Sequence, residues 1–248
     1  MDLKWNTEKA AAPQGVLTGC EESQEWMLKW WFENYSKHNT LPITFADFGM
    51  SASARSWCEK RGNIISIPPQ ELQNAKNAPW ADKVPGYIWN HRTIWFCKPL
   101  AFLKTLYETT IWTDIDCEIT KNITPMFSLA EVPDGFAISY DKKEHEKYYK
   151  EHSILKHEAR CYQAGVIVFK RYSKVINNWA KYCFTQNNQE YSEQSALSHL
   201  LSENPFDITH FSDNYHWFQS DTKNPSAYII HHSGAFSKRR LLSSINLK

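Results

Sequence analysis

Net charge is nearly absent from this chain. Its 248 residues sum to +1 at neutral pH, so no global field draws the molecule to nucleic acid or to an anionic membrane. No cysteine pair has C-x-x-C spacing, although cysteines stand at 20, 58, 97, 117, 161 and 183. A chain this long needs no staples, and these thiols read as reduced and largely buried, in a reducing compartment. No apolar run is long enough to cross a bilayer, and residues 1–14 lack the apolar core of a signal peptide. The expectation is a cytoplasmic protein without a transmembrane segment, whose contact with a membrane surface would be peripheral. Glycosylation spacing at Asn34-Tyr35-Ser36 and Asn122-Ile123-Thr124 carries no meaning without secretion. Internal repeats and clear linkers are missing too. The expected organisation is a flexible, polar tail over 1–14 and one domain over 15–248.

Aromatic residues, by contrast, are plentiful, with 11 Trp, 12 Tyr and 13 Phe. Sugar sites use aromatic platforms, but large cores use aromatics as well, and core is the reading for most of these. A hydrophobic share of 42% is compatible with such a core.

The stretch that organises the chain is Thr110 to Glu118, TIWTDIDCE. A short apolar run bounded by polar residues suits a buried strand of a parallel sheet. It ends in Asp114 and Asp116. If the strand lasts to Asp116, both carboxylates share one face. At a strand's carboxyl end, where open α/β sheets bind ligands, they form a pair of hard oxygen donors. Adjacent carboxylates repel, so the pair calls for a cation, Mn²⁺ or Mg²⁺. A solvated acidic turn is the plainer alternative.

Around this stretch the pattern alternates. Gly15–Cys20 reads as a strand, and Ser23 as the cap of a helix carrying Trp26, Trp30, Trp31 and Tyr35. Strand 42–48, helix 53–61 stopped by Gly62, and strand 63–67 follow. This β-α-β-α-β order argues for a mostly parallel sheet flanked by helices, a single Rossmann-like α/β domain. Residues 68–90 are proline-rich and read as a loop over the rim of the site. Helical character from 91 to 107 is interrupted by Pro99, which places Lys98-Pro99 in a first turn, where anions are favoured. Strands are expected at 135–140, 160–170, 207–211 and 227–231. An apolar helix carries Ile176, Trp179 and Cys183, and Ser192 caps a further helix opening on Glu193-Gln194. The mixed-charge run 141–160 reads as a solvated helix or loop, or as a lid.

In order, the chain presents Asp114-Ile115-Asp116, Gln163-Ala164-Gly165-Val166, Glu193-Gln194 and His231-His232-Ser233-Gly234. This succession resembles the GT-A fold glycosyltransferases with a D-x-D motif, particularly the family-8-like and related α-mannosyltransferase-like groups. Gln163 stands where Asn is usual and Glu193 where Asp is common. Lys238 lies one place beyond the usual H-x-x-G-x-x-K spacing, and the tryptophan that often follows is missing.

The resemblance implies metal-dependent transfer from a nucleotide-sugar, most often a UDP-sugar, to a glycan or other hydroxyl acceptor. It implies Asp116 and His231 as direct ligands of Mn²⁺ or Mg²⁺, with Asp114 on metal, ribose or both. His232, one position away, rivals His231. Lys98 and Lys238 would pair with diphosphate oxygens. Thr18 and Gly19 would approach the nucleotide through backbone groups. Gln163, Ala164, Gly165 and Gly234 complete the donor site. Gln194 would hydrogen-bond the sugar, and Glu193 would hold a hydroxyl or act as base. Two other readings compete. One is a binding module that keeps the fold without turnover. The other is a D-x-D phosphatase, opposed by Glu118 where Thr or Val is wanted and by the motif's late place in the chain.

Overall fold

The computed structural model describes residues 3–219 and 223–246. The alternation of the first third is present as β1 (Ala12–Cys20), α1 (Leu28–His38), β2 (Ile43–Asp47), α2 (Ala52–Glu59) and β3 (Asn63–Ser66). Next come α3 (Ile88–Leu103), β4 (Tyr107–Thr113), β5 (Cys117–Ile119), β6 (Phe136–Tyr140) and α4 (Lys143–Glu151). β7 (Tyr162–Lys170), α5 (Lys174–Thr185) and α6 (Glu193–Glu203) follow. Short strands β8 (Thr209–His210), β9 (Trp217–Phe218) and β10 (Ile229–His231) lead to α7 (Gly234–Asn246). Seven strands form one sheet in the order β3-β2-β1-β4-β7-β6-β8, while β5-β10-β9 form a second. In the large sheet only β7 runs against its neighbours. Its other pairings are parallel, so the mostly parallel sheet flanked by helices is the architecture observed.

Both faces of that sheet are covered, which explains why its central strands read as unbroken apolar runs. Along β4, Ile111 packs into the layer shared with α1 and α2, and Trp112 into the layer shared with α3, α5 and α6. Val166 and Val168 of β7 face the first layer, Ile167 and Phe169 the second. Phe102 stacks on Phe169 at 4.9 Å and Trp31 on Tyr35 at 5.2 Å, so these aromatics serve the core. All six cysteines are free and buried. No helix among the described residues is long and apolar enough to cross a membrane.

Several boundaries differ from the sequence reading. β1 starts at Ala12, not Gly15. Within the described part of the expected tail, two backbone bonds reach the body: Asn6 N–H donates to the Leu103 carbonyl at 2.8 Å and Ala11 N–H to that of Leu106 at 2.7 Å. Ser23 caps nothing; it lies inside a 3₁₀ turn, Glu22–Met27, whose cap is Glu21. α3 begins at Ile88, so Pro99 sits inside the helix and Lys98 lies three turns from the N-terminus, away from any anion-favouring end. β4 ends at Thr113, and the two aspartates fall in the turn beyond it. Ser192 does cap α6, in a reciprocal arrangement with Ser195.

Candidate active site

The turn after β4 determines where each aspartate goes. Asp114 N–H donates to the Gly165 carbonyl at 2.8 Å, and the Asp114 carbonyl accepts from Cys117 N–H at 3.0 Å. The chain therefore reverses within three residues and leaves the large sheet. β5 then pairs antiparallel with β10, with Cys117 opposite His231. That register, together with the His232 N–H bond to the Asp116 carbonyl at 2.9 Å, brings Asp116 beside a histidine far along the chain. The two carboxylates do not share a strand face; the turn aims them at different partners.

Asp114 faces α3 and α6. Its Oδ1 accepts from Trp112 Nε1 at 2.8 Å and lies 3.0 Å from Lys98 Nζ. Lys98 also reaches Glu193 Oε1 at 2.8 Å and the Ala164 carbonyl at 3.5 Å. Burial pushes the Lys98 ammonium down, but Asp114 and Glu193 outweigh it and the net shift is upward. Burial raises the Glu193 carboxyl; Lys98 opposes this without cancelling it.

Asp116 faces the small sheet. Its Oδ1 lies 3.1 Å from His231 Nε2, and its Oδ2 lies 3.1 Å from Lys238 Nζ in the first turns of α7. Burial works to raise this carboxyl, yet Lys238 and His231 hold it well below the usual carboxylate range. Asp116 in turn raises the Lys238 ammonium. His232 points elsewhere: its Nε2 meets Glu118 Oε2 at 3.1 Å and its ring meets the edge of Trp30. Of the rival histidines, His231 is the one beside Asp116.

Both groups open on one cavity of about 340 Å³. Gly19, Lys98, Asp114, Asp116, Gln163, Glu193, Gln194, His231, Gly234 and Lys238 all line it. Thr18 does not; its hydroxyl is buried without a hydrogen-bond partner. Ala164 and Gly165 contribute backbone from behind the wall. Gln194 is fixed at both ends, accepting from Ala164 N–H at 3.1 Å and donating to Asp141 at 3.0 Å. Gln163 accepts from Gly165 N–H at 3.0 Å. At Gly165 a Cβ would lie 2.5 Å from His231 Cε1 and 3.2 Å from His216 Nε2, so a residue with no side chain is what admits both rings. Residues 68–87 do not line the cavity. Their buried Trp80 packs instead against Tyr191, which does, and α4 supplies Tyr149 to the wall from an otherwise solvated helix.

Sequence reasoning missed three neighbours of this site. Cys117 belongs with Asp116 and His231 to a buried group whose donor atoms lie within 4.8 Å of one another; its place after the D-x-D was the available signal. Trp112 and His216 belong to no motif. The donor set suits a divalent cation. A carboxylate and an imidazole together match Mn²⁺ or a similar ion, and Asp116 already holds an ammonium at its Oδ2. Asp114, with Oδ1 taken by Trp112 and Lys98, could join only through Oδ2.

No protein-family model matches the chain, and no curated protein matches it. Solved structures do share its shape. The galactosyltransferase LgtC, in complex with donor and acceptor sugar analogs, superposes with a TM-score of 0.58 at 14% identity, over 89% of this chain and 87% of that one. An active-site mutant of LgtC, Q189E, gives 0.59 at 14% identity over 93% and 95%. Mouse xyloside xylosyltransferase 1 gives 0.58 at 10% identity over 88% and 97%. The chain is similar to these in fold, and that fold is the GT-A fold.

Proposed function

We propose that this protein is a metal-dependent glycosyltransferase. It would move a sugar from a nucleotide-diphosphate-sugar, with UDP-sugar the first candidate, to the hydroxyl of a glycan or other acceptor. The observation that carries this reading is the convergence of Asp116, His231 and Lys238 from distant segments onto one side of the cavity. LgtC, similar in fold, was crystallised with donor and acceptor sugar analogs.

Asp116 and His231 would hold Mn²⁺ or Mg²⁺, which when bound offsets the negative charge growing on a departing diphosphate. Lys238 is one-third exposed on its side chain and would transfer its ammonium from Asp116 to a diphosphate oxygen. Gly19 and Gly234 line the cavity and would meet the nucleotide and the phosphates through backbone groups. Gln163, anchored only through its oxygen, would offer its amide donors to the sugar, and Gln194, anchored at both ends, would offer its second N–H and the remaining lone pair of its oxygen. Glu193 is held by Lys98, so the pair would bind a sugar hydroxyl rather than free a carboxylate to act as base. Transfer with retention, in which the leaving phosphate takes the acceptor's proton, fits that restraint. Peripheral contact with a membrane and the cytoplasmic setting remain part of the proposal.

A thermal-shift screen of nucleotide-sugars with and without Mn²⁺ tests the reading. Stabilisation that needs both components, followed by Mn²⁺-dependent hydrolysis of the same donor, is expected. Donor binding that ignores the metal, or hydrolysis unchanged by Asp116→Ala, would contradict it.

A further inference from the structure

His216 lies behind the proposed metal ligand. Its Nε2 is 2.9 Å from His231 Nδ1, and its Nδ1 is 3.0 Å from Ser139 Oγ. The imidazoles stack with centroids 5.1 Å apart and planes 24° apart, and Phe218 flanks both rings at 5.3 and 5.7 Å. His216 and Ser139 are each only 2% exposed. Gly165 closes the opposite side. Three other segments, around residues 139, 165 and 231, thus converge on the His216 imidazole.

We infer that His216 is a positioning residue that sets the His231 ring for cation binding. To ligate a metal through Nε2, the nitrogen facing Asp116, a neutral imidazole must carry its proton on Nδ1. That N–H, buried, needs an acceptor. His216 Nε2 is the atom placed to accept it, and His216 then donates from Nδ1 to the Ser139 hydroxyl. In that tautomer both nitrogens of His216 are engaged, and the contact holds His231 in the orientation where Nε2 meets Asp116, so that a cation between Nε2 and the carboxylate would complete the chain. Outer partners of this kind contribute roughly 10–100-fold to metal affinity.

The inference rests on the metal reading, and the test separates the two. Equilibrium dialysis against Mn²⁺, with and without UDP, is run on wild type, His216→Phe, His216→Gln and Asp116→Ala. Phenylalanine keeps the ring's shape and stacking but offers no acceptor; glutamine presents a carbonyl oxygen near the position of Nε2. His216→Phe should lose affinity by about 10–100-fold, while His216→Gln stays within about threefold of wild type. Ser139→Ala should fall between them. A purely packing role would leave phenylalanine the better substitute. Mn²⁺ bound by His216→Phe as tightly as by wild type, or equal impairment of both His216 variants, overturns the inference alone. Absence of Mn²⁺ binding by wild type in both arms, or wild-type affinity in Asp116→Ala, overturns the metal reading and this inference with it.

Discussion

The two sides of the cavity solve the same electrostatic problem differently. On the helix side, one lysine sits between two carboxylates, with Lys98 at 3.0 Å from Asp114 and 2.8 Å from Glu193. All three belong to the body of the fold, two of them on α3 and α6. On the small-sheet side, one carboxylate sits between two nitrogen bases, His231 and Lys238, each at 3.1 Å. The Lys98 side chain is 12% exposed and that of Lys238 is 32% exposed. Lys98 is therefore held between two anions in the wall, whereas under the proposed function the more exposed Lys238 would give up its place beside Asp116 to a metal ion. The difference teaches that the helix side is the more closely held wall, and it makes the side of Asp116 the place where the proposed exchange of cations would occur.

Substitutions at four positions probe that contrast. The largest effect is expected at Asp116. Asp116→Ala should reduce Mn²⁺-dependent turnover by roughly 10³-fold, the equivalent of several kcal/mol of lost charge stabilisation, with the circular dichroism spectrum unchanged. Asp116 also predicts a pH signature. Its carboxyl is depressed in the folded state, so its stabilisation is full above the unfolded value of about 3.9 and fades as pH falls through the depressed one. The gap in Tm between wild type and Asp116→Asn should accordingly narrow below about pH 4; a gap that widens on acidification would contradict the assignment.

Lys98→Met should act on stability more than on metal. Removing the partner that buried Glu193 shares with part-exposed Asp114 costs about 3 kcal/mol, read as a lower midpoint in urea unfolding. A midpoint equal to wild type would mean that the wall is not closely held in the sense argued above. Gly165→Ala comes next. Its new methyl would collide with the His231 ring, and Mn²⁺ affinity should drop on the order of 10-fold or more while the sheet persists. The smallest change is expected for His232→Ala. Mn²⁺ affinity should move less than about threefold, with about 1 kcal/mol of stability lost through the Glu118 contact. A larger metal effect there than at His231→Ala would exchange the roles of the two histidines.

Much of this molecule could be read beforehand. The opening alternation, the apolar run before the D-x-D and the capped start of α6 are strong local signals, and they place Asp114, Glu193 and Gln194 near one another. The tertiary details were not legible. β5, β9 and β10 span two or three residues each, too short for any periodicity to register. Yet they decide that Asp116 meets His231. Pro99 suggested a helix start because proline is costly inside a helix. Burial of Phe96, Leu100 and Phe102 around it overrides that preference, so Lys98 meets carboxylates rather than a helix terminus. His216 stands in an unremarkable polar stretch, and nothing in its spacing announces a neighbour fifteen residues later across a sheet.

The missing side chain at Gly165 also bears on when the protein becomes competent during synthesis. β7 must already lie in the large sheet before the imidazoles of residues 216 and 231 have a floor to rest on, and Asp116 must wait for a strand 113 residues downstream of it, at Ile229. Such distant pairings close late, because the loop they span has to be ordered first. A nascent chain can complete its large sheet and still lack the proposed metal site until the segment around Lys238 has emerged and docked.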